Sequence, residues 1–265
     1  MTVAGEVAAV RRVEQCMGTV FSIDIRAPGV DPVVVDDVVR WLHWVDTTFS
    51  TYLPHSQSSL LARGEIAVAE CAPEVREILD RCEHLRRDTA GYFSAYSQGT
   101  LDPSGVVKGW AIEQASDQLR RAGSINHCVN GGGDVQCAGR SATGRPWRVG
   151  IAHPLRPGEL AAVVAGTDLA VATSGVAERG AHVIDPHTGH PPRALASLTL
   201  LGERLTDVDA YATAAFAMGH GARDWIEQLP GIEGLGITLE GGAWSTSDFA
   251  QAQARVNPAG GASAS

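Results

Sequence analysis

The stretch Thr19–Phe49, TVFSIDIRAPGVDPVVVDDVVRWLHWVDTTF, changes its hydrophobic period midway. In Thr19–Arg26 the apolar Phe21, Ile23 and Ile25 alternate with Ser22, Asp24 and Arg26, the period of two expected of a half-buried strand. After Asp31 and Pro32, which suit a helix start, Val34, Val35, Val38, Leu42, Val45 and Phe49 recur at the helical period, so one face packs on a core. The chain is therefore a mixed helix and strand protein, of the α/β (α+β) class.

The same reading extends along the chain. A second helix starts at Pro73 and buries Val75, Ile78, Leu79, Cys82 and Leu85. A third runs from about Val107 to Arg121 along the stripe Trp110, Ala111, Ala115 and Leu119, with Gly123 at its stop. Strand-like runs follow at Ile125–Val129, Trp147–Ile151, Ala161–Ala165, Leu169–Thr173 and Ala196–Leu200, so the second half is sheet-rich. A helix from Thr206 ends near Gly219, and a hairpin turns at Gly241-Gly242 between Leu235–Glu240 and Ala243–Ser247. The expected organisation is a flexible segment over 1–14, one domain over 15–249, and a disordered Ala, Gly, Ser and Pro tail over 250–265.

Composition limits the function classes. With 265 residues, 44% of them hydrophobic, the chain can bury a full core. Its formal charge is -9, from 21 Lys plus Arg against 30 Asp plus Glu, and no basic run tracks a phosphate backbone, which argues against nucleic acid. The cysteines Cys16, Cys71, Cys82, Cys128 and Cys137 are odd in number and have no metal-ligand spacing, which favours free thiols in a reducing compartment. Neither a leader nor a bilayer-length apolar run is visible, so the expected location is cytoplasmic, with no membrane span.

Four segments carry candidate chemistry, each with an ordinary structural alternative. In Thr206–Thr213, TDVDAYAT, Asp209 and Thr213 project from one helix face one turn apart and offer the hard oxygens that Mg²⁺ takes; Thr206 and Asp209 could equally form a capping box. In Asn130–Asp134, NGGGD, three glycines let backbone N–H groups approach a phosphate, or make a tight hairpin. Asp102–Gly109, DPSGVVKG, places a lysine and free backbone donors at a helix N-terminus, a pyrophosphate site or plain capping. Thr173–Gly189, TSGVAERGAHVIDPHTG, gathers Thr173, Ser174, His182 and Asp185, of which His182 can titrate near neutrality. A lone histidine beside Val183 and Ile184 can also be a satisfied core residue.

Taken in order, these segments resemble the ApbE family from about Cys16 to Phe249. Met17-Gly18-Thr19 is similar to the family's early Met-Gly-Thr, and Ser50-Thr51-Tyr52 with Ser56–Leu61 to its Ser-x-Tyr and Ser-rich turn. Asp102–Gly109 resembles the acidic turn with Lys-Gly, Asn130–Asp134 the Asn-x-Gly-Gly-Asp, and Thr173–Gly189 the Thr-Ser-Gly with His-x-Ile-Asp-Pro-x-Thr-Gly. Asp209, Ala210 and Thr213 match Asp-Ala-x-x-Thr. Departures are Ser94 in place of an Asp, a short segment before Leu101, and Ser104 and Val107 where Gly and Ala are common.

The resemblance implies a fold of mixed sheets and packed helices with an FAD site in a cleft between two merged halves. It implies an FAD:protein FMN transferase that is Mg²⁺-dependent: FMN passes from FAD to a Ser or Thr of an acceptor protein, in a Ser/Thr-Gly-Ala-Ser/Thr-like segment, with release of AMP. Asp209 and Thr213 would bind Mg²⁺ with the backbone carbonyl of Val107. Met17 and Tyr52 would pack near the flavin. Asp102, Lys108, Asn130, Gly132, Gly133, Asp134, Thr173, Ser174, Gly175 and Asp185 would form the rest of the FAD site, and His182 would be the general base. Two other classes remain: a hydrolase splitting FAD to FMN and AMP, and a non-catalytic FAD-binding protein.

Overall fold

The computed structural model describes residues 10–97, 99–141, 144–176 and 183–253. The chain opens on a hairpin of β1 (Val10–Cys16) and β2 (Thr19–Ile25), closed by Met17 and Gly18, both at positive φ. β1 reads weakly because only Cys16 of its seven residues is buried, so no alternation marks it. Its pairing with β2 nevertheless carries order back to Val10, into the segment expected to be flexible.

α1 (Val33–Phe49) follows, its first turn capped by Asp31 Oδ1, which accepts from the Val33 N–H. Next come α2 (Gln57–Ala62), capped by Ser56, and α3 (Pro73–Asp88), with a single 3₁₀ turn between them. A two-stranded hairpin, β3 (Tyr96–Ser97) with β4 (Thr100–Leu101), leads into α4 (Ser104–Arg121). α4 starts one turn earlier than its apolar stripe suggests, because Asp102 Oδ1 accepts from the Ser104 N–H and holds the first turn.

The chain then runs through β5 (His127–Gly131), β6 (Asp134–Ala138), β7 (Trp147–Ala152), β8 (Leu160–Gly166), β9 (Ala170–Gly175), β10 (Leu195–Gly202), α5 (Leu205–Met218), α6 (Ala222–Ile226), β11 (Glu233–Thr238), β12 (Ala243–Ser245) and α7 (Phe249–Ala252). α7 and Gln253, which bridges to Val164, extend the ordered chain past position 249; 254–265 lie outside the described residues.

One eight-stranded sheet, ordered β1-β2-β5-β6-β9-β10-β11-β12, organises these elements, and every neighbouring pair in it is antiparallel. One face carries the main core with α1, α4 and α5, where Phe21, Ile25, Leu42, Ile112, Leu198 and Leu205 are fully buried. On the other face the separate β7–β8 hairpin covers Val135, Cys137, Val171 and Leu201 with Trp147, Ile151 and Val164. β6 is consequently buried on both faces, which explains why the polar Asp134 and Gln136 sit inside. No described helix is long and apolar enough to cross a membrane.

α4 and α5 pack closely at Gly109. A Cβ there would stand 2.7 Å from both Asp209 Cβ and the Leu205 carbonyl oxygen. Gly109→Ala is therefore expected to destabilise the protein by about 1–3 kcal/mol through overpacking, seen as a lowered melting temperature. An unchanged melting temperature would show that the two helices separate freely at this point.

His127, fully buried under α4, directs Nδ1 to the Ser124 carbonyl oxygen (3.0 Å) and Nε2 to Ser116 Oγ (2.7 Å). A carbonyl only accepts, so Nδ1 carries the proton and the neutral ring accepts from Ser116. Burial pulls its pKa down from 6.5 to about 4. As the pH falls, the unfolded chain takes up this proton first, so the stability present above pH 6.5 is lost through the window down to about 4. Melting temperature should fall from pH 7 to pH 5, and fall less steeply in His127→Gln; equal slopes would remove His127 from the acid response.

Candidate active site

The α4–α5 crossing builds the site. Asp209, 5% exposed, accepts the Gly109 N–H through Oδ2 at 2.9 Å. Lys108, the residue before Gly109, points to a different side of α4, where its ammonium pairs with Asp134 Oδ2 and stands 3.9 Å from Asp209 Oδ1. Asp134 is fixed in turn, since its Oδ1 accepts the Thr173 N–H of β9 at 3.0 Å. Thr213, one turn beyond Asp209, lies 3.4 Å from the Ser174 hydroxyl, and Thr173 Oγ1 lies 2.8 Å from Thr199 Oγ1.

These groups border a cleft of about 460 Å³ whose lining includes Asp102, Lys108, Thr173, Ser174, Gly175, Asp209 and Thr213. Its lining also includes Tyr92, Phe93, Tyr96, Val183, Ile184 and Pro186. The volume is in the range of small-molecule sites. Burial pushes the Asp209 carboxyl up to about 7; Lys108 and the Gly109 N–H pull against that rise and Asp134 adds to it.

The capping-box alternative for Thr206 and Asp209 does not apply. α5 begins at Leu205 after Arg204, and neither side chain caps it. The first-turn N–H groups instead go to other elements: Thr206 N–H to Glu113 Oε2 of α4 and Leu205 N–H to Gln136 Oε1 of β6, each 2.9 Å. Asp209 is left for the cleft. With the Thr213 and Ser174 hydroxyls it offers hard oxygens, and Mg²⁺ is commonly held by one or two carboxylates while substrate phosphates supply further ligands, so the donor set fits that ion. Among the described residues no group of three or more His, Cys, Asp or Glu is placed to hold a metal. Val107 is buried one turn into α4, so its carbonyl also belongs to the helical ladder.

Other expected site residues lie outside the cleft lining. Asn130, Gly132 and Gly133 form the tight β5–β6 turn: both glycines have positive φ, and Asn130 Oδ1 accepts the Gly133 N–H at 3.1 Å. A Cβ on Gly132 would meet Thr19 Oγ1 at 2.8 Å, so this turn packs on the start of β2. Met17, half-buried in the adjacent β1–β2 turn, is held at φ 51° by its N–H bond to Asp46 Oδ2. Tyr52 is 94% exposed. Asp185 folds its own turn, accepting from the His187 N–H (2.9 Å) and the Thr188 hydroxyl (3.0 Å), and thereby sets Ile184 and Pro186 in the cleft lining. His182 lies outside the described residues. Sequence reading did not single out Asp46, Glu113 or Gln136, whose signal is no more than a polar residue on an otherwise buried face.

Comparison with known proteins identifies the family and the fold. The ApbE family model matches residues 94–235, more than half of the chain. The FAD:protein FMN transferase of Haemophilus influenzae is 31% identical over 144 residues, 50% of this chain and 42% of that protein. That of Salmonella typhimurium is 26% identical over 197 residues, 70% of this chain and 54% of that protein. The chain thus spans about half the length of the curated relatives it matches. The fold is similar to the crystal structure of the ApbE protein of Thermotoga maritima, with a TM-score of 0.84 at 21% identity, covering 94% of this chain and all of that one. The flavin transferase ApbE of Vibrio cholerae superposes with a TM-score of 0.80 at 22% identity, covering 92% and 99%. By its matched family model, which spans more than half of its length, this chain belongs to the ApbE family.

Proposed function

We propose that the protein transfers FMN from FAD to a Ser or Thr hydroxyl of an acceptor protein. The observation that carries this reading is the meeting of Lys108, Asp209 and Thr213 in the cleft where α4 crosses α5. The acceptor hydroxyl oxygen attacks the FMN-side phosphorus of the pyrophosphate, the bond to the AMP phosphate breaks, and AMP leaves as a phosphoester forms on the acceptor. The hydroxyl proton passes to a base, for which His182 is the proposed residue, an assistance worth roughly 10²–10⁴-fold.

Lys108 is oriented by Asp134 and presents its ammonium toward the breaking pyrophosphate, where negative charge grows on both fragments. Mg²⁺ held by Asp209 and Thr213, with the Val107 carbonyl as the further expected donor, would neutralise part of that charge. The tyrosines of the cleft lining, Tyr92 and Tyr96, are proposed to pack against a flat ligand. Met17 and Tyr52 are the proposed flavin neighbours, and Asp102, Asn130, Gly132, Gly133, Thr173, Ser174, Gly175 and Asp185 the remaining FAD contacts or supports. The acceptor carries a Ser/Thr-Gly-Ala-Ser/Thr-like segment. The proposed compartment is the cytoplasm.

The test is to mix the purified protein with FAD, Mg²⁺ and an acceptor bearing that segment, and to follow AMP release and acceptor mass. The expected result is a gain of one FMN on the acceptor that disappears without Mg²⁺ and in Asp209→Ala. AMP and free FMN with an unmodified acceptor would make the protein a hydrolase, and no AMP would make it a binder. Full activity of Asp209→Ala would remove the metal assignment. His182→Ala should slow transfer by roughly 10²–10⁴-fold with FAD affinity nearly intact; equal losses in both would make His182 structural.

A further inference from the structure

The geometry points to Glu113 and Gln136 as positioning residues that set α5 so that Asp209 and Thr213 bind the divalent ion, an inference that rests on the transferase reading. Glu113 is 4% exposed, accepts the Thr206 N–H through Oε2 at 2.9 Å, and pairs through Oε1 with Arg204. Gln136, 5% exposed, accepts the Leu205 N–H at 2.9 Å and donates through Nε2 to the Glu203 carbonyl at 3.0 Å. Neither lines the cleft; both border a separate cavity of about 280 Å³.

Two elements each contribute one residue that holds a cleft side chain and one half of this clamp. On α4, Gly109 and Glu113 are four residues apart and share the face that meets α5: Gly109 receives Asp209, and Glu113 holds the helix end at Thr206. On β6, Asp134 and Gln136 are two apart and share the helix-facing side, Asp134 holding Lys108 and Gln136 holding Leu205. The N–H groups at the start of α5 have no side-chain cap of their own, so the two partners from α4 and β6 fix both its axial position and its rotation. A rotation of α5 about its axis would swing Asp209 and Thr213 together off the cleft. Partners bonded directly to metal ligands typically change metal affinity about 10–100-fold when removed, and a clamp on the ligands' helix is expected at the lower end of that range.

The test measures Mn²⁺ binding by the loss of its free paramagnetic resonance signal, in the presence of FAD, for the full chain and for Glu113→Ala, Gln136→Leu and Glu113→Gln. Melting temperature and FAD affinity without metal are measured alongside. Expected are Mn²⁺ affinities about 10-fold weaker or more in the first two variants, with FAD affinity little changed, and recovery in Glu113→Gln, which keeps an oxygen for the Thr206 N–H. A lowered melting temperature with unchanged Mn²⁺ affinity in both folded variants would make the clamp purely structural and overturn the inference, while leaving the transferase reading intact. The native chain binding no Mn²⁺ would overturn it too. If the native chain binds Mn²⁺ and the variants weaken it, yet no acceptor gains FMN, the positioning role stands and the transferase reading fails.

Discussion

Everything at the site depends on two helices touching without a side chain between them. At Gly109 the α4 backbone comes close enough for its own N–H to reach the Asp209 carboxylate. Adjacent residues on a helix point about 100° apart, so turning Gly109 toward α5 sends Lys108 toward the sheet, where Asp134 receives it. A Lys-Gly pair is thus a geometric device: the glycine makes the contact and the lysine is aimed by it. The same crossing brings Thr213 to Ser174, because α5 is then seated along β9.

The charges of the cleft follow from that seating. Lys108, Asp134 and Asp209 sit together with little water around the two carboxylates, and negative exceeds positive by one. Low surrounding polarity penalises that excess, which is why the Asp209 carboxyl holds its proton more tightly than a free aspartate. A pyrophosphate brought alongside would add to the same imbalance, so a divalent cation and an anionic substrate suit this pocket as a pair better than either alone.

Much of this was legible from residues, and the parts that were not have definite causes. The strand of Phe21, Ile23 and Ile25 and the stripe of α1 read cleanly because each has one wet face. β6 was not visible: Asp134 and Gln136 sit on its helix side and Val135 and Cys137 under the β7–β8 hairpin, so both faces are buried and the alternation loses its meaning. β1 failed for the opposite reason, being an edge strand with little to bury. Asp102, Lys108, Thr173, Ser174, Gly175, Asp209 and Thr213, which line one cleft, could be named as candidates because their segments follow in the order of the family's motifs. Glu113 and Gln136 were not, since a buried polar residue that serves a neighbouring backbone looks like any other until the neighbour is known.

The sheet order carries a kinetic consequence. β6 pairs with β9 and β2 with β5, and the described walls of the cleft come from residues within 92–96, 99–108, 173–175, 183–189 and 209–213, brought together by contacts between distant parts of the chain. Such long-range pairings form slowly, because chain entropy must be surrendered before they return any stabilisation. Lys108 and Asp209 are separated by a hundred residues yet meet through one hydrogen-bonded crossing. No local fragment can hold both, so this pairing of Lys108 and Asp209 depends on long-range contacts and vanishes with any opening that parts α4 from α5.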